Sequence, residues 1–238
     1  MKKNLKRLVS LSVIMVFLLF NYSVYAHQDL EIKTLKNEST EYFGDSLKFY
    51  PNEHFYNASL DDVIFYSEHQ IPITKKDILD GSFENKMNIS LFFEDTITVD
   101  IPRGKTSAIA VENISVPRYY QTNEHLWLTN LEGANYASSI EAGQGEQILA
   151  ILSGFIPKVG TLVSLVWSLK MAQQSGMASD IRKVTNKGDC VEVVHIKSNY
   201  GKAFTAKYWN GDYITVLKPI REESYHMTKI ISSSYSFK

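Results

Sequence analysis

The stretch EQILAILSGFIPKVGTLVSLVWSLK, residues 146–170, is almost uncharged inside an otherwise polar chain. Between Gln147 and Leu169 lie 23 residues with a single charge, that of Lys158. As one helix, the run would reach about 35 Å at about 1.5 Å per residue, enough to cross the hydrocarbon core of a bilayer. Whether it lies in lipid or in a protein core therefore decides the fold and the class of protein.

Pro157 and Lys158 argue against one continuous helix. Proline removes a helical hydrogen bond, and a lysine near the bilayer centre costs about 2.5–3.5 kcal/mol. We therefore predict an apolar helical hairpin within residues 139–186, with arms near 141–155 and 159–174 and helix continuing to about residue 184. Each apolar arm has about 11 residues, and its length of about 17 Å is too short to span a bilayer alone.

Small residues recur at every fourth position of the second arm and would line one helix face. Such a stripe lets a neighbouring backbone approach closely, in membranes and in soluble hairpins alike. The sequence leaves open whether the hairpin, 146–174, rests in a soluble core or in a membrane. The candidate membrane or helix-packing residues are Phe155, Pro157, Lys158, Gly160, Ser164, Trp167, Ser168, Ala172 and Gly176.

Residues 1–26 have the pattern of a signal peptide. An apolar segment of about ten residues, 11–20, precedes a cleavage pattern at 24–26. We expect a secreted protein whose mature chain begins near His27, with an uncleaved N-terminal anchor as the alternative. The basic residues ahead of the apolar segment are Lys2, Lys3, Lys6 and Arg7.

The charge balance argues against a nucleic-acid partner. The chain has 25 basic and 26 acidic side chains, and four of the basic ones lie in residues 1–26. The mature chain would therefore carry 21 basic and 26 acidic side chains, a net charge of −5. Such a chain is not attracted to anionic polymers, and it does not have the composition of a simple cationic lytic peptide.

Residues 27–138 form a β-rich N-terminal region by pattern. DTITVDI, residues 95–101, alternates cleanly, with Ile97, Val99 and Ile101 on one face. Thr74 is a candidate N-cap for a helical turn at 77–81. The other short strands predicted here are 47–50, 63–66, 87–93 and 107–116.

Residues 187–238 predict a C-terminal antiparallel β-meander. Val191, Val193 and His195 alternate with Glu192, Val194 and Ile196, and Asn210-Gly211 is a strong signal for a two-residue hairpin turn. The strands expected around that turn are 203–209 and 213–217, with an edge strand at 229–237. The predicted fold class is therefore α+β: a β-rich N-terminal region, a central helical hairpin and a terminal meander.

No motif predicts a catalytic, cofactor-binding or metal-binding residue. Neither a nucleophile elbow, a zinc-ligand string nor a phosphate loop is present. Glu68-His69 and Glu124-His125 are neighbours in sequence, so we expect their side chains to point apart. A dispersed catalytic site stays open because catalytic groups can assemble from distant residues. The histidines, which lack ligand spacing, are His27, His54, His69, His125, His195 and His226.

A Sec-type leader, the single cysteine, glycine-broken apolar helices at 148–171 and the turn Tyr208-Trp209-Asn210-Gly211 occur together in this chain. The combination resembles large unmodified secreted bacteriocin-like exoproteins of Gram-positive bacteria, of the non-lantibiotic geobacillin sort. The resemblance implies a secreted antagonist of other bacteria with a membrane or envelope target. The net acidity departs from the usual cationic pattern of bacteriocins.

Three functions follow from the sequence. The first is a secreted, membrane-active or antibacterial protein that acts through the hairpin 146–174. The second is a non-catalytic extracellular or cell-surface binding protein in which the hairpin is a permanent soluble core. The third, a secreted hydrolase with a dispersed site, is less favoured than either because no catalytic motif is present. None of the three requires a cofactor.

Overall fold

A seven-stranded antiparallel sheet organises the chain in the computed structural model, which describes residues 47–67, 70–83, 86, 96–153, 155, 176–224 and 227–238. The strands are β1 (Lys48–Pro51), β2 (Val63–Tyr66), β3 (Pro72–Thr74), β4 (Thr96–Asp100), β5 (Ala108–Val116), β6 (Tyr119–Leu128), β7 (Cys190–Ser198), β8 (Gly201–Trp209), β9 (Tyr213–Leu217), β10 (Ile220–Ser224) and β11 (Met227–Phe237). The strand order in the large sheet is β1-β8-β7-β6-β5-β11-β10.

The remaining four strands form two antiparallel ribbons, β2–β3 and β4–β9. The helices of the described residues are short: α1 (Glu53–Asn57), α2 (Lys75–Asp80), α3 (Asn130–Glu141), α4 (Gly145–Ser153) and α5 (Met177–Thr185). Capping boxes begin two of them, in which Thr74 and Thr129 exchange hydrogen bonds with the third helical residue. The predicted N-cap at Thr74 is confirmed.

The central strands are largely buried on both faces because both faces of the sheet are covered. On the helix face, Leu126 and Leu128 of β6 and Val193 of β7 pack with Tyr136 of α3 and Ile181 of α5, all fully buried or nearly so. On the opposite face, called here the ribbon face, the two ribbons cover the sheet. At this face Ile214 and Val216 of β9 bury against a cluster that also contains Ala108, Ala110, Trp127 and Trp209.

The predicted α+β fold class is wrong. The described protein is mostly β, and strands from before and after the apolar run join one sheet: β7 pairs with β6, and β8 pairs with β1. The predicted edge strand is also not at an edge, because β11 lies between β5 and β10. Helices α3, α4 and α5 form one covering layer on this sheet and not a separate central element.

The predicted meander fails at Asn210-Gly211. Gly211 does adopt the positive φ of a tight turn, 85°. The strand that follows, β9, pairs with β4 and not with β8. Burial explains this outcome. Ile214 and Val216 are 0 % and 1 % exposed because β9 lies over the ribbon face and not beside β8 in the sheet.

The apolar run also differs from its prediction where the structure describes it. α4 ends at Ser153, and the next described residue, Phe155, is fully buried in the helix-face core. Gly176 has a φ of 69°, a left-handed conformation that no α-helix continues through. Helix α5 therefore begins anew at Met177. Of the predicted helix-packing residues, those outside the described residues are Pro157, Lys158, Gly160, Ser164, Trp167, Ser168 and Ala172.

Several local predictions are confirmed. Strand 63–66 matches β2, strand 107–116 matches β5, and Ile97, Val99 and Ile101 all pack into one cluster on the ribbon face. The predicted signal peptide and the strand 87–93 lie outside the described residues. Within the described part of the chain, none of the helices has the length and apolar character needed to cross a membrane.

Candidate functional site

A row of polar side chains crosses the ribbon face at the centre of the sheet. Alternate residues of a strand share a face, so β6 presents Gln121, Asn123 and His125 on one side and Leu126 and Leu128 on the other. Glu112 on β5 and Glu192 on β7 extend this polar row to the neighbouring strands. All five polar side chains are buried, with residue exposures of 9 % or less.

His125 lies between two carboxylates. Its Nδ1 is 3.0 Å from Oε1 of Glu192, and its Nε2 is 3.3 Å from Oε2 of Glu112. Both ring nitrogens therefore face acceptors, and the arrangement suits an imidazolium that donates two hydrogen bonds. The ring also stacks on Trp127, with 5.1 Å between ring centroids and 11° between planes, a geometry that favours the cationic form.

The charges of this cluster hold one another in the ionised state. Burial alone lowers the pKa of His125, but the Glu112 charge and the hydrogen bonds that the ring donates to Glu112 and Glu192 outweigh burial and raise that pKa to about 10. Burial raises the pKa of the Glu112 carboxyl, and His125 more than reverses this effect, so the net direction is downward. The pKa of Glu192 also falls, because His125 and Lys207 outweigh the effect of burial.

The polar row fastens both ribbons to the sheet. Gln121 behaves like a strand backbone: its amide nitrogen donates to the carbonyl oxygen of Tyr66 at 2.8 Å, and its amide oxygen accepts from the Tyr66 N–H at 2.7 Å. At the other ribbon, Oε1 of Glu112 accepts the backbone N–H of Leu217 at 2.7 Å. Asn123 connects the two halves by donating to Glu112 at 3.1 Å.

A pocket of about 430 Å³ opens between the ribbon face and β9. Glu112, His125 and Glu192 line its inner part, where they are almost completely buried. Lys207, whose side chain is 43 % exposed, stands nearer to solvent with its Nζ 3.3 Å from Oε2 of Glu192. The other lining residues are Thr96, Trp127, Tyr208, Trp209, Asn210, Tyr213, Thr215, Val216 and Leu217.

The tryptophan at the mouth is held in place by its own hydrogen bond. The indole nitrogen of Trp209 donates to the carbonyl oxygen of Tyr213 at 2.7 Å, which closes the turn at 210–212. Trp209 as a residue is 5 % exposed, whereas Tyr208 and Tyr213 beside it are 62 % and 44 % exposed. The pocket thus combines fixed aromatic surface with a charged inner wall.

The inner wall is suited to binding and not to acid–base catalysis. A general base needs a ring nitrogen or carboxylate oxygen that can take a proton from substrate. Both nitrogens of His125 already face carboxylates, and the raised pKa keeps the ring protonated at neutral pH. Among the residues that the structure describes, no group of three metal-ligating side chains has the geometry to hold a metal ion.

Of the two Glu-His neighbours in the sequence, the structure describes Glu124-His125, and these two side chains do not form an acid–base pair. Glu68 and His69 lie outside the described residues. His125 faces the ribbons, while Glu124 lies on the helix face directly opposite His195 of β7 in the strand register. Neighbours on a strand point to opposite faces, as we expected.

The two helix-packing candidates that the structure describes, Phe155 and Gly176, lie outside the lining of this pocket. Phe155 is fully buried in the helix-face core, with Nζ of Lys238 5.7 Å from its ring centroid. Gly176 forms the turn before α5, with Nζ of Lys48 3.1 Å from where a Cβ would stand. The remaining seven candidates lie outside the described residues.

Sequence reasoning missed Glu112, His125 and Glu192 as a site. A signal was present in each strand: one acid stands alone in AIAVENISV (108–116) and one in CVEVVHI (190–196). Charged residues are almost never fully buried unless paired. A lone glutamate in an apolar strand therefore indicates a buried partner, and in the structure that partner is His125 of β6.

Comparisons with known proteins identify no relative of this chain: no protein-family model, no curated protein and no solved structure matches it.

Proposed function

We propose that this protein binds a small organic ligand non-covalently in the pocket between the ribbon face and β9. This function corresponds to the second of the sequence-based hypotheses, a non-catalytic extracellular binding protein. The pocket volume of about 430 Å³ falls within the roughly 300–1,000 Å³ that is typical of small-molecule sites. Secretion is a prediction from residues 1–26 and forms part of the proposal.

The observation that carries the proposal is the inner wall of paired charges. Buried charges are costly unless they are paired and hydrogen-bonded. In this protein Glu112, His125 and Glu192 satisfy one another, and a backbone N–H and an amide complete the acceptors of Glu112. The wall is therefore preorganised, so a ligand would meet fixed dipoles without first reorganising the protein.

Tryptophan fluorescence of the full-length protein offers a direct test. The chain has three tryptophans, and two of them, Trp127 and Trp209, line the pocket. In a Trp167→Phe background the emission would report on the pocket alone. The probes are a panel of sugars, nucleosides, amino acids, aromatic acids and amines at concentrations up to millimolar.

We expect saturable quenching by one chemical class, and binding at least about threefold weaker in Lys207→Gln, because a hydrogen bond to a charged group is lost. Lys187→Gln is the matched control, since Lys187 is exposed and does not line the pocket. Absence of a response to every probe would contradict the proposal. An equal loss of affinity in both lysine variants would also contradict it.

The membrane-active or antibacterial function rests on residues 146–174, most of which lie outside the described residues. It stays a prediction, and dye release from liposomes tests it.

A further inference from the structure

We infer that the ligand of this pocket is a neutral, polyhydroxylated molecule of mono- or disaccharide size. This inference rests on the proposed function, because it assigns a ligand class to the same pocket. Three properties of the lining carry it: its charge balance, its aromatic surface and its uncharged hydrogen-bonding groups.

The formal charges of the lining residues sum to zero. Glu112 and Glu192 are ionised, His125 is an imidazolium and Lys207 is an ammonium, and each of them already has an opposite charge within 3.3 Å. At the buried His125, an ionic ligand would have to displace Glu112 or Glu192 and leave the displaced group without its counter-charge. Breaking a buried pair in this way is strongly unfavourable, so a charged ligand is selected against.

The lining also disfavours a ligand that is entirely apolar, because polar atoms lie beside its aromatic surface. Tyr208 and Tyr213 of the lining, which are 62 % and 44 % exposed, offer aromatic area beside the polar residues Glu192 and Lys207. A purely apolar ligand would cover these polar atoms without hydrogen bonds, which costs free energy. A sugar ring has C–H groups on its faces and hydroxyls on its edge, so it can contact an aromatic ring and hydrogen-bond at the same time.

The outer lining supplies uncharged donors and acceptors. Thr96, Thr215 and Tyr213 are lining residues that carry hydroxyls, and Asn210 is one that carries an amide. Each of these groups can both donate and accept, and so can a sugar hydroxyl. Side chains that both donate and accept hydrogen bonds match ligand hydroxyls that do the same. This match favours a polyol over an amine or a carboxylic acid.

The test compares matched probes by isothermal titration calorimetry. The neutral set is glucose, N-acetylglucosamine, maltose and cellobiose; the anionic probe is glucuronic acid, the cationic probe glucosamine and the apolar aromatic probe indole. We expect at least one neutral sugar to bind, and its charged analogue to bind at least tenfold more weakly. Indole should bind more weakly than the sugar.

Two variants remove one hydroxyl each and keep the side-chain shape. Tyr213→Phe and Thr215→Val should weaken sugar binding about three- to tenfold, the effect of one lost hydrogen bond. Tyr235→Phe and Thr98→Val are the controls, since both parent residues lie on the exposed surface of the protein and outside the pocket lining. The controls should bind like wild type.

The outcomes separate this inference from the proposed function. Tighter binding of glucuronic acid, glucosamine or indole would overturn the neutral-sugar assignment while the pocket remained a binding site. Sugar binding that is unchanged in both hydroxyl variants would overturn the assignment as well. If none of the probes and no member of the broader panel binds, the proposed function fails, and the inference fails with it.

Discussion

The two faces of the central sheet treat the same residue types in opposite ways. On the ribbon face, Glu112, His125 and Glu192 are held charged by one another. On the helix face, Glu124 and His195 stand opposite each other in the register of β6 and β7, and burial drives each toward its neutral form. Glu124 and His125 are neighbours in sequence but lie on opposite faces of the sheet. The groups packed around each side chain, and not its sequence neighbours, therefore decide its charge.

The helix-face pair is shifted by desolvation. Burial raises the pKa of Glu124 to about 7, against the opposing charges of Lys197 and Lys202. Burial, with the charges of His125 and Lys202, lowers the pKa of His195 to about 4. Between about pH 4 and 7 both groups are therefore neutral in the folded protein. On the ribbon face, by contrast, His125 stays charged throughout that interval, since its pKa is raised to about 10.

Glu112→Gln is expected to have the largest effect. The substitution leaves His125 with one counter-charge in a buried site, and breaking a buried ion pair from one side costs about 3–5 kcal/mol. The free energy of unfolding, measured with urea at pH 6, should fall by that amount. Glu124→Gln, its counterpart on the helix face, should cause no such fall at the same pH, because Glu124 is already neutral there in the folded protein. Equal losses in the two variants would contradict the contrast between the faces.

Glu124→Gln should show its effect in the pH dependence. Because the pKa of about 7 in the folded protein lies above the ordinary pKa of 4.5, the folded state holds the proton more tightly than the unfolded state. Wild-type stability is therefore lost as pH rises from 4.5 through 7, by up to about 3 kcal/mol. The variant lacks this loss. Urea unfolding of both proteins at pH 5 and pH 8 measures it, and a constant difference between them would refute the raised pKa.

Lys238→Met should have the smallest effect. Nζ of Lys238 pairs with Oε1 of Glu132 at 3.0 Å, but the lysine is 37 % exposed and the glutamate 20 %. Such partly exposed pairs contribute about 1 kcal/mol or less. Thermal unfolding in low salt should detect the loss, and 1 M salt should reduce it, because salt screens exposed pairs and leaves the buried cluster largely unaffected. A loss as large as that of Glu112→Gln would contradict the distinction between exposed and buried pairs.

Local sequence was enough to predict elements but not their partners. The alternation at 95–101 and the capping residue Thr74 depend on nearby residues, and both features are present in the structure. The strand after Asn210-Gly211 was predicted correctly as a strand and wrongly as the partner of β8. Turn chemistry is local, whereas burial of Ile214 and Val216 over a distant sheet is not.

The site was harder to predict for the same reason. Glu112, His125 and Glu192 come from three strands, and 67 positions separate His125 from Glu192. A spacing motif cannot encode such a cluster, since its geometry arises only when β5, β6 and β7 pair in register. The sequence could have shown that each lone glutamate needed a buried partner, but it could not have identified the partner.

The most direct measurement is a pH titration of the imidazole nitrogens by NMR on the full-length protein labelled with ¹⁵N histidine. The account predicts that His125 shows imidazolium shifts at both nitrogens from pH 5 to pH 9, in keeping with a pKa of about 10. It also predicts that His195 stays neutral from pH 8 down to about pH 4. If both rings titrated together near pH 6.5, the two faces of the sheet would be electrostatically alike, and the account of a permanently charged pocket wall would be contradicted.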